Sequence, residues 1–197
     1  MEIIENLLSP SHFNLVTQDV MNNDAFPWFR TLSTSHENDQ PDIWSASWYH
    51  TVFRDLDRTP KSVLASTFFP VLAIGMDRCN LRLTSLMRVR LGMITTTPQT
   101  YVHAPHIDAD EEHYTALYYL NDADGDTIFY DQLYKPGMPM NSQEYASKAN
   151  MKVFAREKPT KNKFVLFNGL RYHSSSSPTQ SAQRIVVNFN FRAKKIA

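Results

Sequence analysis

His106 and Asp108 stand two positions apart in the segment His103-Ala-Pro-His106-Ile-Asp108. On an extended strand, residues two apart point to the same side, so the spacing predicts an imidazole and a carboxylate facing one point. A His-x-Asp tripeptide arises often by chance, and a surface histidine beside a turn aspartate is the competing reading. A metal site therefore needs a third ligand from elsewhere. His173 is the candidate, in the segment Arg171-Tyr-His-Ser-Ser-Ser-Ser-Pro178. Two imidazoles and one carboxylate can occupy one face of an octahedral ion and leave three positions open. That mixed set suits Fe(II), and the open positions would admit a co-substrate and O2.

Eleven residues after His173 comes Arg184, at the start of the last expected strand. Ile185, Val187, Phe189 and Phe191 alternate there with Arg184, Val186, Asn188 and Asn190. This period of two predicts one face on a hydrophobic core and one face on something polar. If the strands of His173 and Arg184 pair as a hairpin, both residues reach one cavity. An arginine there can hold a dicarboxylate through two parallel hydrogen bonds, as lysine cannot. A solvated strand arginine is the plainer alternative.

The elements that must position these residues divide the chain in two. Ser9-Pro10 predicts a helix start, with Phe13, Val16, Val20 and Met21 on one face. Thr59-Pro60 predicts a second helix reaching about Cys79, kinked or broken at Pro70, with Val63, Leu64, Phe68, Val71 and Leu72 apolar. Residues 30–58 yield no secure element. Strands are expected at 81–94, 102–108, 113–121, 126–131, 151–157, 163–168, 171–176 and 183–193, with a loop at 135–150. Two helices before about eight strands predict a mainly β, α+β chain built as a sandwich or jelly roll. Segments 30–58 and 132–150 are expected to shape the cavity mouth.

Bulk properties narrow the setting. The 197 residues fit one domain, and 42% hydrophobic content supports a sizeable core. Lys plus Arg equals Asp plus Glu at 20 each, so no overall field would attract nucleic acid or an anionic membrane. The longest apolar stretch, Phe68 to Met76, is about half of what a membrane-spanning helix needs. Cys79 is the only cysteine, which favours a reducing compartment, and the acidic start Met1-Glu-Ile-Ile-Glu5 is unlike a signal peptide. The expected location is cytoplasmic. Nothing in the sequence sets an oligomeric state.

The order His-x-Asp, distant His, then a basic residue resembles the 2-oxoglutarate/Fe(II)-dependent oxygenases, specifically the prolyl-4-hydroxylase-like branch with bacterial and phage members. Tyr114-Thr-Ala-Leu-Tyr-Tyr-Leu-Asn121 is similar to that branch's strand after the His-x-Asp. Asp124-Gly-Asp-Thr-Ile-Phe129 is similar to its Gly-Gly-Glu-Thr-x-Phe segment, with Asp124 where a glycine usually stands. Phe26-Pro-Trp28 and Leu86-Met-Arg-Val-Arg90 also resemble phage-type members. The likeness covers residues 81–193 well and the N-terminal part loosely.

The resemblance implies a double-stranded β-helix (jelly roll) over 81–193, supported by a helical N-terminal part over 1–80, all one oxygenase domain. It implies iron on His106, Asp108 and His173, and 2-oxoglutarate anchored by Arg184 with Tyr119. Thr115 and Leu117, which share Tyr119's face, and Thr127 would line the same pocket. O2 would be the oxidant, ascorbate a supporting reductant, and succinate and CO2 products. A peptidyl proline or a small molecule is the implied substrate. Arg88 and Arg90 read as strand-surface charges, and His103 and His113 as loop or supporting residues. Tyr119 could equally be core packing. The alternative from another class is a cupin-like jelly roll that binds metal or ligand without turnover, which would have no need of Arg184.

Overall fold

The computed structural model describes residues 1–32, 44–140, 145 and 149–196. In chain order the elements are β1 (Glu2–Ile4), α1 (Pro10–Met21), β2 (Phe29–Thr31), β3 (Ser47–Arg54), α2 (Ala65–Arg78), β4 (Leu81–Thr95), β5 (Tyr114–Tyr119), β6 (Thr127–Leu133), β7 (Val153–Glu157), β8 (Phe164–Asn168), β9 (Arg171–Ser175) and β10 (Gln183–Lys195). They form a seven-stranded sheet in the order β1-β8-β5-β10-β4-β3-β2 and a three-stranded sheet in the order β7-β6-β9. The architecture is mostly β with two helices and is jelly-roll-like.

Alternation in β10 decides how the layers stack. Ile185, Val187, Phe189 and Phe191 join the main core with Val16 and Val20 of α1 and Phe68, Val71 and Leu72 of α2. The helices therefore cover one face of the large sheet. Burying one such side chain contributes about 1.5–3 kcal/mol, and a one-residue slip of β10 would turn four of them out of this core into the polar space on its other face at once. Gly75 lets α2 approach closely, because a Cβ there would stand 2.5 Å from Phe164 Cζ. On the other face, Leu117, Tyr119, Val165, Phe167 and Val186 of the large sheet meet Phe129 of the small one. The same inter-sheet space holds Arg184, Asn188 and Asn190.

Several expectations need correction. The N-terminal part is not only helical support, since β1, β2 and β3 extend the large sheet at both edges. The second helix begins at Ala65 and runs through Pro70. Pro70 and Ser66, whose carbonyl loses its partner to the missing N–H, are both solvent-facing, so water can satisfy it. Val63 precedes this helix and is exposed, while Leu64, Phe68, Val71 and Leu72 are buried. Among the described residues, no helix is long and apolar enough to cross a membrane.

Candidate metal and co-substrate site

The His-x-Asp segment leaves the regular sheet. Residues 102–108 are not a strand but make two isolated bridges, Val102 with Ser176 and His106 with His173. Pro105 has no N–H for a ladder and biases its neighbour's backbone, so pairing survives only at single positions. His106 is still held firmly. Its N–H donates to the His173 carbonyl at 2.9 Å, and the His173 N–H donates back at 3.0 Å.

Asp108 arrives at the same point. Its Oδ2 lies 3.7 Å from His173 Nε2, and the ligand atoms of His106, Asp108 and His173 lie within 4.8 Å of one another. Each imidazole is oriented by a backbone carbonyl: His106 Nδ1 is 3.1 Å from the Ala104 oxygen, and His173 Nδ1 is 3.0 Å from the Arg171 oxygen. Donation by Nδ1–H selects the tautomer whose Nε2 lone pair faces the cluster. Burial, then the neighbouring His106, pulls His173 down to about 4. It is therefore neutral near pH 7, the form that ligates metal.

The carboxylate is held as firmly. Arg88 Nη2 donates to Asp108 Oδ1 at 2.5 Å, and the side-chain amides of Asn188 and Asn190 donate to Oδ2 at 3.1 and 3.0 Å. Burial would raise this carboxyl, but the Arg88 guanidinium, followed by the two histidines and Asn190, holds it well below the usual carboxylate range. The network extends backward: Arg88 Nε donates to Asn190 Oδ1 at 2.9 Å, and Asn190 Nδ2 donates to Thr115 Oγ1 at 3.0 Å.

Arg184 lies in the same cavity and is 3% exposed. Its Nη2 donates to Thr127 Oγ1 at 2.6 Å, and that oxygen is also 2.7 Å from the Tyr119 hydroxyl. The guanidinium carbon stands 5.6 Å from the centre of the Tyr119 ring. Arg184 Nε is buried without a partner, and no ion pair with a described carboxylate offsets the burial. A buried charge left this way is costly until an anion meets it.

The cavity measures about 880 Å³ and is lined by all three candidate metal ligands together with Arg184, Leu117, Thr127, Val186 and Asn188. Tyr119 and Thr115 sit behind the wall. Tyr119 reaches Thr127, and Thr115 props Asn190 with His113 Nε2 on its other side at 3.3 Å. His103 is buried, with Nδ1 2.8 Å from the Ser175 carbonyl. His36, whose sequence context reads as structural or exposed, falls outside the described residues. Residues 30–32, 47–49 and 51 also line the cavity. The described part of 132–150 does not line the cavity. It backs the His-x-Asp segment instead, where Met140 accepts from the Ile107 N–H at 2.9 Å.

The expected hairpin between the strands of His173 and Arg184 does not form. β9 belongs to the small sheet and β10 to the large one, so the two residues face each other across the cavity. Asp124 helps divert the chain between them. Its carboxylate accepts from the backbone N–H groups of Thr179, Gln180 and Ser181 at 2.9, 3.0 and 2.9 Å and from the Thr179 hydroxyl at 2.8 Å. Gly125 follows because a Cβ there would collide with the Ser176 carbonyl.

Arg88 and Arg90 are not surface charges; both line the cavity. Their alternation with buried Val89 and Leu91 was legible, but a strand pattern does not say whether its polar face meets bulk water or an enclosed space.

No protein-family model and no curated protein matches the sequence. Solved structures do. The non-heme alpha ketoglutarate dependent epimerase SnoN from nogalamycin biosynthesis aligns with a TM-score of 0.65 at 13% identity, covering 96% of this chain and 77% of that one. A prolyl hydroxylase from Trichoplax adhaerens, in complex with a hypoxia inducible factor peptide fragment, aligns at 0.59 and 18% identity over 96% and 82%. HygX from Streptomyces hygroscopicus, solved with nickel, 2-oxoglutarate and hygromycin B bound, aligns at 0.59 and 13% over 96% and 81%. At these identities the likeness establishes a shared fold.

Proposed function

We propose that this chain is an Fe(II)- and 2-oxoglutarate-dependent dioxygenase that hydroxylates its substrate, with iron on His106, Asp108 and His173. One observation carries the reading: a His/Asp/His cluster and a buried arginine with an unpartnered Nε share one cavity. The donor set fits a divalent ion, since the carboxylate is anionic, His173 is neutral and both Nδ1 atoms face carbonyls. Arg184 and Thr127 fit the distal carboxylate of a keto acid, which would satisfy the orphaned Nε. A metal-binding jelly roll without turnover has no use for that arginine.

When bound, iron, 2-oxoglutarate and O2 supply the oxidising chemistry, in which the keto acid becomes succinate and CO2 and one oxygen atom enters the substrate. The chain's own contribution is positional. Arg88, Asn188 and Asn190 keep Asp108 ionised and fix both its oxygens. The His106–His173 bridge sets the imidazole spacing. Tyr119 holds Thr127 against Arg184, while Leu117 and Val186 give the co-substrate pocket an apolar wall. We read residues 1–197 as one oxygenase domain, supported by the pairing of β1 with β8. Placement in the prolyl-4-hydroxylase-like branch is supported by the Tyr114–Asn121 and Asp124–Phe129 segments.

The test is succinate release by purified protein with Fe(II), 2-oxoglutarate and ascorbate. Turnover above a His106→Ala control is expected. Its absence across carboxylate, phosphate and peptide substrate panels would leave a binding jelly roll instead.

A further inference from the structure

The cavity carries cationic side chains beyond Arg184. Five arginines line it, at positions 30, 54, 88, 90 and 184, whereas Asp108 is the only acid on its described lining. The whole chain is neutral, so this positive excess is local and focused by the cavity. Three of the five are already committed. Arg184 belongs to the co-substrate pocket, Arg88 is bound to Asp108, and Arg54 pairs with Asp57 at 2.9 Å.

Arg90 differs. It lies opposite Asn188 on β10 and opposite Thr51 on β3. Its guanidinium carbon stands 4.3 Å over the ring of Tyr49. It makes no hydrogen bond or ion pair with a described residue. Burial, then the like charge of Arg88, draws it down to about 10. It is still fully charged near pH 7, in surroundings where an incoming anion would relieve both costs. Next along this face of β4 is Gly92, opposite Tyr49. A Cβ there would meet nothing nearer than Val186 Cγ1 at 3.8 Å, so the missing side chain leaves room beside the guanidinium.

We propose that Arg90, stacked on Tyr49, recognises a carboxylate or phosphate group on a small-molecule substrate whose oxidised carbon lies toward His106, Asp108 and His173. The guanidinium fork matches either oxyanion, and the aromatic ring beneath fixes its plane. The cavity volume falls in the range that takes small ligands, about 300–1,000 Å³. A neutral prolyl ring would leave Arg90 without a directly paired anion, so the site favours an acid. The oxidation rests on the oxygenase reading; the anion binding does not.

The experiment is calorimetric titration of Zn(II)-loaded protein, saturated with 2-oxoglutarate so that Arg184 is occupied. The probes are benzoate, phenyl phosphate and neutral benzamide. At least one anion is expected to bind about tenfold or more tightly than benzamide, and the tighter anion distinguishes a carboxylate from a phosphate substrate. Arg90→Gln should cost about tenfold or more in that affinity while leaving 2-oxoglutarate affinity unchanged. Thr51→Glu, which sets an internal carboxylate opposite Arg90, should do the same and decides the matter if Arg90→Gln does not fold. Neither anion binding the wild type, benzamide binding equally well, or undiminished anion affinity in the folded variants would overturn the proposal. Failure of the oxygenase reading shows separately, as no 2-oxoglutarate binding to the wild type; the same titrations on metal-loaded protein alone then still score Arg90.

Discussion

His106 and His173 form an isolated antiparallel bridge, each giving its N–H to the other's carbonyl, with their ring centroids 4.6 Å apart. The two imidazoles are thus spaced by backbone hydrogen bonds, before any ion binds. Neither side chain needs to move far to share a ligand. That preorganisation has consequences that can be measured.

Metal should stabilise the fold by mass action, because the unfolded chain has no equivalent site. At Zn(II) about 100-fold above its dissociation constant the gain is about 2.7 kcal/mol. Melting curves with Zn(II) and with chelator should separate accordingly for the wild type and coincide for His173→Ala. A chelator-insensitive melting temperature would count against the site.

Arg88 and Asn190 should act through Asp108. Arg88→Gln or Asn190→Ala is expected to weaken metal binding by about 10–100-fold, with 2-oxoglutarate contacts at Arg184 intact. Metal titration monitored by competition with a chromogenic chelator reads this directly. Removing Arg88 also removes the largest influence lowering Asp108, so the loss should deepen as the pH falls.

Arg184→Ala should abolish 2-oxoglutarate binding while the metal still binds. Arg184→Lys should not restore it, because an ammonium lacks the two-pronged geometry. Thr127→Val, which removes the hydroxyl held by both Arg184 and Tyr119, should cost about 1–3 kcal/mol of co-substrate affinity. Loss of metal in Arg184→Ala would show that the pocket is wrongly assigned.

Asp124 should matter for stability rather than chemistry. Burial pushes its carboxyl upward, but the hydrogen bonds from Ser181, Thr179 and Gln180 outweigh this and hold it below the ordinary range. A depressed folded-state value means the stabilisation is complete above the unfolded carboxylate value, near pH 4, and is lost as pH falls through the folded one. Asp124→Asn should cost about 1–2 kcal/mol at pH 7 after allowance for solvent screening. The difference from wild type should shrink in acid, as urea melts at pH 7 and pH 3 would show.

Two glycines should respond oppositely to one methyl group. Gly125→Ala forces a Cβ into the Ser176 carbonyl, a backbone atom that cannot swing aside, and should cost about 1–3 kcal/mol. Gly92→Ala finds only ordinary contact distance and should leave the melting temperature nearly unchanged.

Local signals carried much of this molecule. The Ser9 cap, the apolar period of α1, the alternation of β10 and seven of the eight expected strands lie in short windows, where propensity and pattern act directly. The exception, residues 102–108, sits over Pro105, where pattern and ladder chemistry conflict. The short strands β1 and β2 have three residues each, too few for any periodicity to register. Their pairing is decided by partners far along the chain.

The sequence by itself determined which residues could ligate a metal, their order, and the polar face of the last strand. Those follow from side-chain chemistry and a repeat of two, both local properties. Only the tertiary structure decided that His173 and Arg184 meet across two sheets rather than along a hairpin. It alone turned Arg88 toward Asp108 and left Arg90 facing the cavity. The reason is physical: whether the polar face of a strand looks onto water or into an enclosed site depends on which sheet packs against it, and that is set by the burial of distant apolar faces, not by neighbours in the chain.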